Sequence, residues 1–269
     1  MRTLYIGTRG PDVSNLQYFL GIKVDGIFGP MTETAVKTKQ GETGLSKDGS
    51  VGPRTQAKWG LSDFRVHIYA REDVWFAGTP YSAPYKPLKT LDVWAEEEQA
   101  HFVYNLAFFN MSGTGSDQFG VIKGRTLTYL KAKGVDVGYG GTLERLTIDE
   151  KNICSGYKVA IKDGVAKSVS LLGKRCRNAD GILADGRYFH VQSVTTSTEA
   201  AIRDFMLKNF QVKLMLIQDS GGSTGFYDRA RKVLLAGERE GLKGRPVASV
   251  VCIGKQSPVR VCECCGQRI

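Results

Sequence analysis

The sequence predicts a multi-domain chain, with a small all-α three-helix bundle followed by a mixed α/β, strand-rich domain. Three observations predict it. A glycine-rich octapeptide pattern occurs twice near the N-terminus, 23 residues apart. The hydrophobic period then changes from three-to-four to two near residue 62. The 269 residues also exceed the roughly 150 of an average domain. A hydrophobic fraction of 42% supports a buried core and excludes a disordered chain. No run reaches the ~18 apolar residues of a membrane helix, so stable membrane insertion is excluded. Four of the six cysteines fall in the last 18 residues, unlike a disulfide scaffold.

Charge and histidine count narrow the chemistry further. The formal net charge is +10, from 37 Lys+Arg and 27 Asp+Glu. Residues 1–61 hold 8 basic and 5 acidic groups, the remainder 29 and 22, with no block of five like charges. This even spread reads as a solvated basic surface with mild affinity for polyanions, and it argues against a nucleic-acid groove. The 3 histidines, His67, His101 and His190, stand apart with no HExxH, so a His-rich zinc hydrolase site is hard to assemble.

In chain order, Val13, Leu16, Phe19 and Leu20 recur at helical spacing and predict a first amphipathic helix. VDGIFGPMTETAV (24–36) and KDGSVGPRTQAKW (47–59) then align as D-G-x-x-G-P-x-T. Asp-Gly makes a tight turn, Gly-Pro breaks the chain, and Thr32 and Thr55 sit near helix starts. Ala35 and Val36 belong to the second helix.

These paired motifs, with R-G-P-D-V-S-N-L-Q-Y-F-L before them, closely resemble the three-helix peptidoglycan-binding domain of cell-wall hydrolases. The resemblance covers about residues 6–61 and sets the domain limits at 1–61 and 62–269. One departure is Lys39, where the family commonly has an aromatic residue before Gln. The resemblance implies peptidoglycan as a partner. The residues considered for contact are Gln17, Tyr18, Asp25 and Phe28, with Asp25 also read as a turn former and Phe28 as core.

Beyond residue 62 the segments 64–70, 102–109, 126–130, 157–161, 188–194, 213–218 and 247–253 read as strands. TSTEAAIRDFMLKNF reads as a helix, with Thr196 and Glu199 as a capping box. The apolar strand KLMLIQ ends in Asp219-Ser220-Gly221-Gly222-Ser223-Thr224. A carboxylate beside glycine-rich backbone suits an anion-binding turn, formed by Ser220, Gly221, Gly222 and Thr224 with a Ser223 hydroxyl. It equally suits a turn that merely ends a strand.

The order N-L-A-F-F-N (105–110), F-G-V-I-K-G-R-T-L (119–127), D-S-G-G-S-T and G-R-P-V-A-S-V-V-C-I (244–253) resembles the phosphodiester glycosidase family. That family includes the lysosomal mannose 6-phosphate uncovering enzyme. Asn105, Phe108, Phe109, Asp219 and Arg245 fall on family positions, whereas Leu106-Ala107 and Ser220 replace glycines. The resemblance implies hydrolysis of a glycosidic or sugar–phosphate bond of the wall. No cofactor is expected, and the sequence offers no support for a divalent metal without ruling one out. Asp219 would activate water or steady oxocarbenium charge, and Arg245 would hold phosphate. Asn105 would meet a sugar group, and Ser223 would lie near the oxyanion. Teichoic acid becomes a second candidate polymer. Glu144 and Glu199 are candidates for the second carboxylate by position alone, and the 96–98 glutamate run reads as a solvated face.

Two other readings compete. Asn152-Ile153-Cys154-Ser155-Gly156 with His190 faintly resembles a Cys/His cell-wall peptidase, although a strand rather than a helix follows Cys154. A non-catalytic wall-binding protein is the third reading. Cys252, Cys262, Cys264 and Cys265 match a zinc site imperfectly, and reduced thiols explain them more simply. The N-terminus lacks an apolar signal region. A wall hydrolase of this kind is expected to be made in the host cytoplasm and to act at the cell wall, as an endolysin does in phage lysis.

Overall fold

The computed structural model describes residues 1–78, 88–106, 122–123, 126–127, 145–149, 152–155, 158–171, 173–236, 246–247 and 249–254. Three helices open the chain: α1 (Pro11–Leu20), α2 (Pro30–Glu42) and α3 (Pro53–Trp59). The repeat explains the last two starts. Gly26 and Gly49 take φ of 71° and 78°, and Gly29 and Gly52 then hand over to proline at the first helical position.

Each Asp-Gly turn is anchored by a glutamine of the preceding helix. Gln17 Nε2 donates to Asp25 Oδ1 at 2.8 Å and to Ile27 O at 3.0 Å, while its Oε1 accepts from Gly26 N at 2.9 Å. Gln40 repeats this with Asp48 (2.7 Å), Ser50 O (3.0 Å) and Gly49 N (3.0 Å). Leu4, Val13, Leu16, Phe28, Val36, Val51, Trp59 and Leu61 fill the core between them. Lys39 stays outside that core, paired with Glu42.

Next in order come β1 (Phe64–Tyr69), β2 (Val74–Gly78), α4 (Leu91–Glu98) and β3 (Phe102–Asn105). Two small hairpins follow, β4 (Ile122–Lys123) with β5 (Thr126–Leu127) and β6 (Arg145–Asp149) with β7 (Asn152–Ser155). The chain continues through β8 (Lys158–Lys162), β9 (Val165–Ala166), β10 (Asn178–Leu183), β11 (Tyr188–Ser193), α5 (Glu199–Asn209) and β12 (Val212–Ile217). A 3-10 turn at Gly221–Ser223 leads to β13 (Gly225–Asp228), β14 (Val233–Ala236) and β15 (Ser249–Ile253).

The larger strands form two antiparallel sheets, ordered β1-β11-β10-β12-β8-β9 and β14-β13-β3-β15-β2. Alternation along each strand divides the faces. Phe189, Val191, Met215 and Ile217 pack outward with Ile202 and Met206 of α5. On the far side Val103, Val250 and Cys252 pack against Leu91, Trp94 and Ala95 of α4. The inner faces meet through Tyr69, Tyr188 and Leu216 against Phe76, Tyr104, Phe226 and Val251. The described residues therefore stack as helix, sheet, sheet, helix.

The expected capping box is corrected. Helix α5 begins at Glu199, so Thr198 is its cap and accepts from Ala201 N at 3.1 Å. Glu199 stands at the first helical position, too early to reach back to Thr196. Its carboxylate instead accepts from Ser170 N at 2.9 Å and pairs with Arg177 at 3.2 Å. Strands β2, β4, β6, β7, β9, β10, β13 and β14 were not among those expected.

Helix α1 docks on the strand-rich part. Tyr18 donates from its hydroxyl to Asp228 at 2.9 Å, its ring meets Phe226 edge-on at 5.7 Å, and the Arg231 guanidinium lies 4.2 Å over it. Arg65 of β1 reaches Asn15 Oδ1 at 3.0 Å through Nε. Burial and Asp228 together push the Tyr18 hydroxyl up to about 12.

Candidate functional site

The Asp219 loop sits where the ends of both sheets converge. Strand β12 delivers Asp219, which is buried, and its backbone N–H donates to Leu106 O at 3.1 Å. Asn105 ends β3 in the facing sheet and is 1% exposed. Its Nδ2 donates to Asp219 O at 3.3 Å, and its Oδ1 accepts from Asn178 Nδ2 at 2.6 Å and Gly225 N at 3.3 Å. The structure thus brings Asn105 and Asp219 together across 114 residues. The Asn105 side-chain amide, expected to meet a sugar group, is buried here and bonded to Asp219, Asn178 and Gly225.

The glycine-rich turn is likewise tied inward. Gly221, at φ 74°, donates its N–H to Cys176 O at 2.7 Å, and Thr224 donates its N–H to Gly221 O at 3.1 Å and its hydroxyl to Cys176 O at 3.2 Å. Ser220 N donates to Asp219 Oδ1 at 2.8 Å and Ser220 Oγ to Gln218 O at 3.1 Å. The amides of Gly221 and Thr224 therefore brace the turn instead of lining an anion nest. Gly222 lies within the 3-10 turn and Ser223 is buried at its end. Arg245, Phe108, Phe109, Glu144 and the tail Cys262, Cys264 and Cys265 lie outside the described residues.

Sequence reasoning missed the polar lining behind this loop. On the inner face of the first sheet, Asn178, Gln192 and Arg65 share one cross-strand row, and Asp180, His190 and His67 the next. Arg65 Nη1 donates to Gln192 Oε1 at 2.8 Å. Asp180 Oδ1 lies 2.8 Å from His190 Nδ1 and also accepts from the Tyr188 hydroxyl. The Tyr69 hydroxyl is 2.8 Å from that of Tyr104 and 3.2 Å from His67 Nδ1, and the Tyr104 ring lies 4.1 Å from the His190 ring.

Five shielded polar atoms in these two rows have no partner among the described residues: Asn178 Oδ1, Gln192 Nε2, Asp180 Oδ2, His190 Nε2 and His67 Nε2. Buried polar atoms are almost always paired, so such a concentration marks a specialised interior. Burial holds the His67 imidazole well below its usual range, and Arg65 and His190 add in the same direction. The available signal was polar residues at every second position, in R-V-H-I-Y (65–69) and Y-F-H-V-Q (188–192).

The residues considered for peptidoglycan contact have other work. Phe28 is wholly buried and Gln17 is 1% exposed, so neither offers a surface to a glycan. Asp25 caps its own turn, and its hydrogen bonds from Gln17 and Ile27 N hold its carboxyl below the usual range. Tyr18 faces the strand-rich part. Cys154 lies on strand β7 and does not begin a helix, and His190 is wholly buried. Cys252 is buried under α4. Among the described residues, no group of three or more His, Cys, Asp or Glu is arranged to hold a metal, and no helix is long and apolar enough to cross a membrane.

Residues 9–58 match the family model described as a peptidoglycan binding domain. This match supports an N-terminal peptidoglycan-binding domain and, with it, association with the cell wall. No curated protein matches the chain. Among solved structures, the chain is similar to the catalytic domain of zebrafish N-acetylglucosamine-1-phosphodiester alpha-N-acetylglucosaminidase, auto-inhibited by its pro-peptide. The identity is 12% and the TM-score 0.48, over 72% of this chain and 84% of that one. It is also similar to a hypothetical protein from Synechocystis, at 10% identity and a TM-score of 0.47, over 71% of this chain and 58% of that one.

Proposed function

We propose that the chain is a bacterial cell-wall hydrolase of the endolysin kind. Residues 1–61 bind peptidoglycan, and residues 62–269 form a phosphodiester glycosidase-like domain that hydrolyses a glycosidic or sugar–phosphate bond of the wall. The observation that carries the reading is the contact between Asn105 and Asp219, which joins two separated family motifs at one end of the sandwich.

In this reading Asp219 takes the proton of a water molecule as the water oxygen attacks the anomeric carbon. The bond from that carbon to the leaving oxygen breaks with its electron pair on the leaving group. A phosphate leaving group is already a weak base and needs little acid assistance. Arg245 would pair with that phosphate bidentately, Ser223 would lie near it, and Asn105 and Asn178 would hold the loop.

The test is Asp219→Asn on purified sacculi, prepared with and without teichoic acid. The expected result is loss of released reducing ends or phosphate with sacculus binding retained. Unchanged turnover would overturn the assignment. Loss of turnover in Cys154→Ser instead would favour the peptidase reading, and the absence of any released product from the unaltered protein would favour a non-catalytic wall binder.

A further inference from the structure

The wall-binding surface can be located by asking which face of the helical bundle remains available. One face is spent internally, because Asn15 and Tyr18 of α1 dock on Arg65, Phe226, Asp228 and Arg231. Of the exposed large apolar side chains among the described residues, five lie in this small bundle: Tyr5, Ile6, Phe19, Ile27 and Met31. Phe19 stacks on Trp59 at 5.8 Å. Of the other four, Ile27 lies in the first repeat turn, Met31 in the first turn of α2, and Tyr5 and Ile6 in the segment before α1.

Backbone pairing brings that segment to the turns. The N-terminal segment crosses both Asp-Gly turns: Leu4 pairs with Val51 of the second, and Arg9 with Ile27 of the first. Gly7 N donates to Phe28 O at 2.8 Å, and Phe28 N donates to Thr8 O at 2.9 Å. Tyr5 and Ile6 lie between these pairings, 56% and 49% exposed, and Met31, at 74%, is the second residue of the helix after the first turn. Arg54 occupies the matching position after the second turn, and both Arg54 and Arg9 are exposed.

We propose that Tyr5, Ile6, Ile27 and Met31, flanked by Arg9 and Arg54, form the surface that contacts the peptidoglycan strand. The proposal rests on the wall-binding reading above. Its chemistry matches the polymer. An exposed tyrosine and aliphatic groups cover the apolar faces of pyranose rings and acetamido methyls, and guanidinium groups pair with the carboxylates of lactyl-linked peptides. Two related turns bridged by one segment also suit a polymer with a repeating unit. The occupant is peptidoglycan itself and not an attached anionic polymer.

The experiment measures binding of the full chain to sacculi stripped of teichoic acid. It compares the unaltered protein with Tyr5→Ala/Ile6→Ser, Met31→Ser, Arg9→Ala/Arg54→Ala, and Val165→Ser as an exposed apolar control outside the bundle. The two double variants should lose about tenfold or more in affinity with unchanged thermal midpoints, and Val165→Ser should bind normally. If the unaltered protein binds and the double variants bind equally well, the surface assignment fails while wall binding stands. If the unaltered protein does not bind stripped sacculi, the wall-binding reading itself fails. If the double variants lose self-association in sedimentation and keep sacculus binding, the surface belongs to a second copy and the proposal is overturned.

Discussion

Asn178 holds Asn105 from the opposite sheet, donating from one amide nitrogen to the Asn105 backbone oxygen at 2.8 Å and to its side-chain oxygen at 2.6 Å. Asn178→Ala removes both bonds and leaves acceptors buried, at a cost of about 1–3 kcal/mol. The expected outcome is a lowered denaturation midpoint together with a fall in wall turnover larger than the stability loss explains. Urea titration and product release on sacculi check it.

The seam between the helical and strand-rich parts makes a second prediction. Tyr18→Phe keeps the ring against Phe226 and removes the hydrogen bond to Asp228, and it should cost about 0.5–1.5 kcal/mol. Combined with Arg231→Ala, which removes the cation over the ring, it should split one calorimetric unfolding transition into two. A single unchanged transition would count against a seam that couples the two parts.

Acid should weaken the fold through His67. The unfolded chain binds a proton at this residue near the ordinary imidazole value of about 6.5, whereas the folded chain stays neutral to well below it. Below about pH 6.5 the unfolded state therefore holds more protons, and stability falls with pH by up to about 1.4 kcal/mol per unit. His67→Phe should flatten that slope. Chemical denaturation at pH 7.5 and 5.5 for both proteins measures the difference.

Gly181 is a packing constraint. A Cβ there would meet Leu214 O at 2.0 Å and the Phe189 ring at 2.5 Å, both inside the first sheet. Gly181→Ala should force β10 and β12 apart and destabilise by about 1–3 kcal/mol, or leave the protein insoluble. Gly186→Ala is the matched control for added bulk, since nothing lies within 4 Å of that position, although its φ of 87° adds local strain.

Local chemistry was readable in the sequence and long-range chemistry was not. Asp25-Gly26 and Asp48-Gly49 announced their turns because a turn depends on neighbouring residues, and Thr32 and Thr55 do sit near helix starts, which fall at Pro30 and Pro53. Strands β1, β11, β12 and β15 were visible from alternation or apolar runs. Strand β10, N-A-D-G-I-L, was hidden because Asn, Asp and Gly are poor strand formers, and its Asn finds its partner across the sandwich while its Asp is met by His190 of the neighbouring strand. For the same reason the Asp219 motif was legible as a turn, while the inward commitment of Asn105, Gly221 and Thr224 was not.

The α1 seam also affects how the molecule works along a polymer. A binding module on a floppy tether sweeps a volume and lets its partner sample many bonds from one anchor point. Here Ser62 Oγ bonds both the N–H and the carbonyl of Phe64, and Tyr18 and Arg65 clamp the helix beyond that joint. If residues 62–269 cut the wall as proposed, these contacts would make anchor and blade work as one caliper. Reaching a bond beyond its single stride would then require the whole molecule to let go.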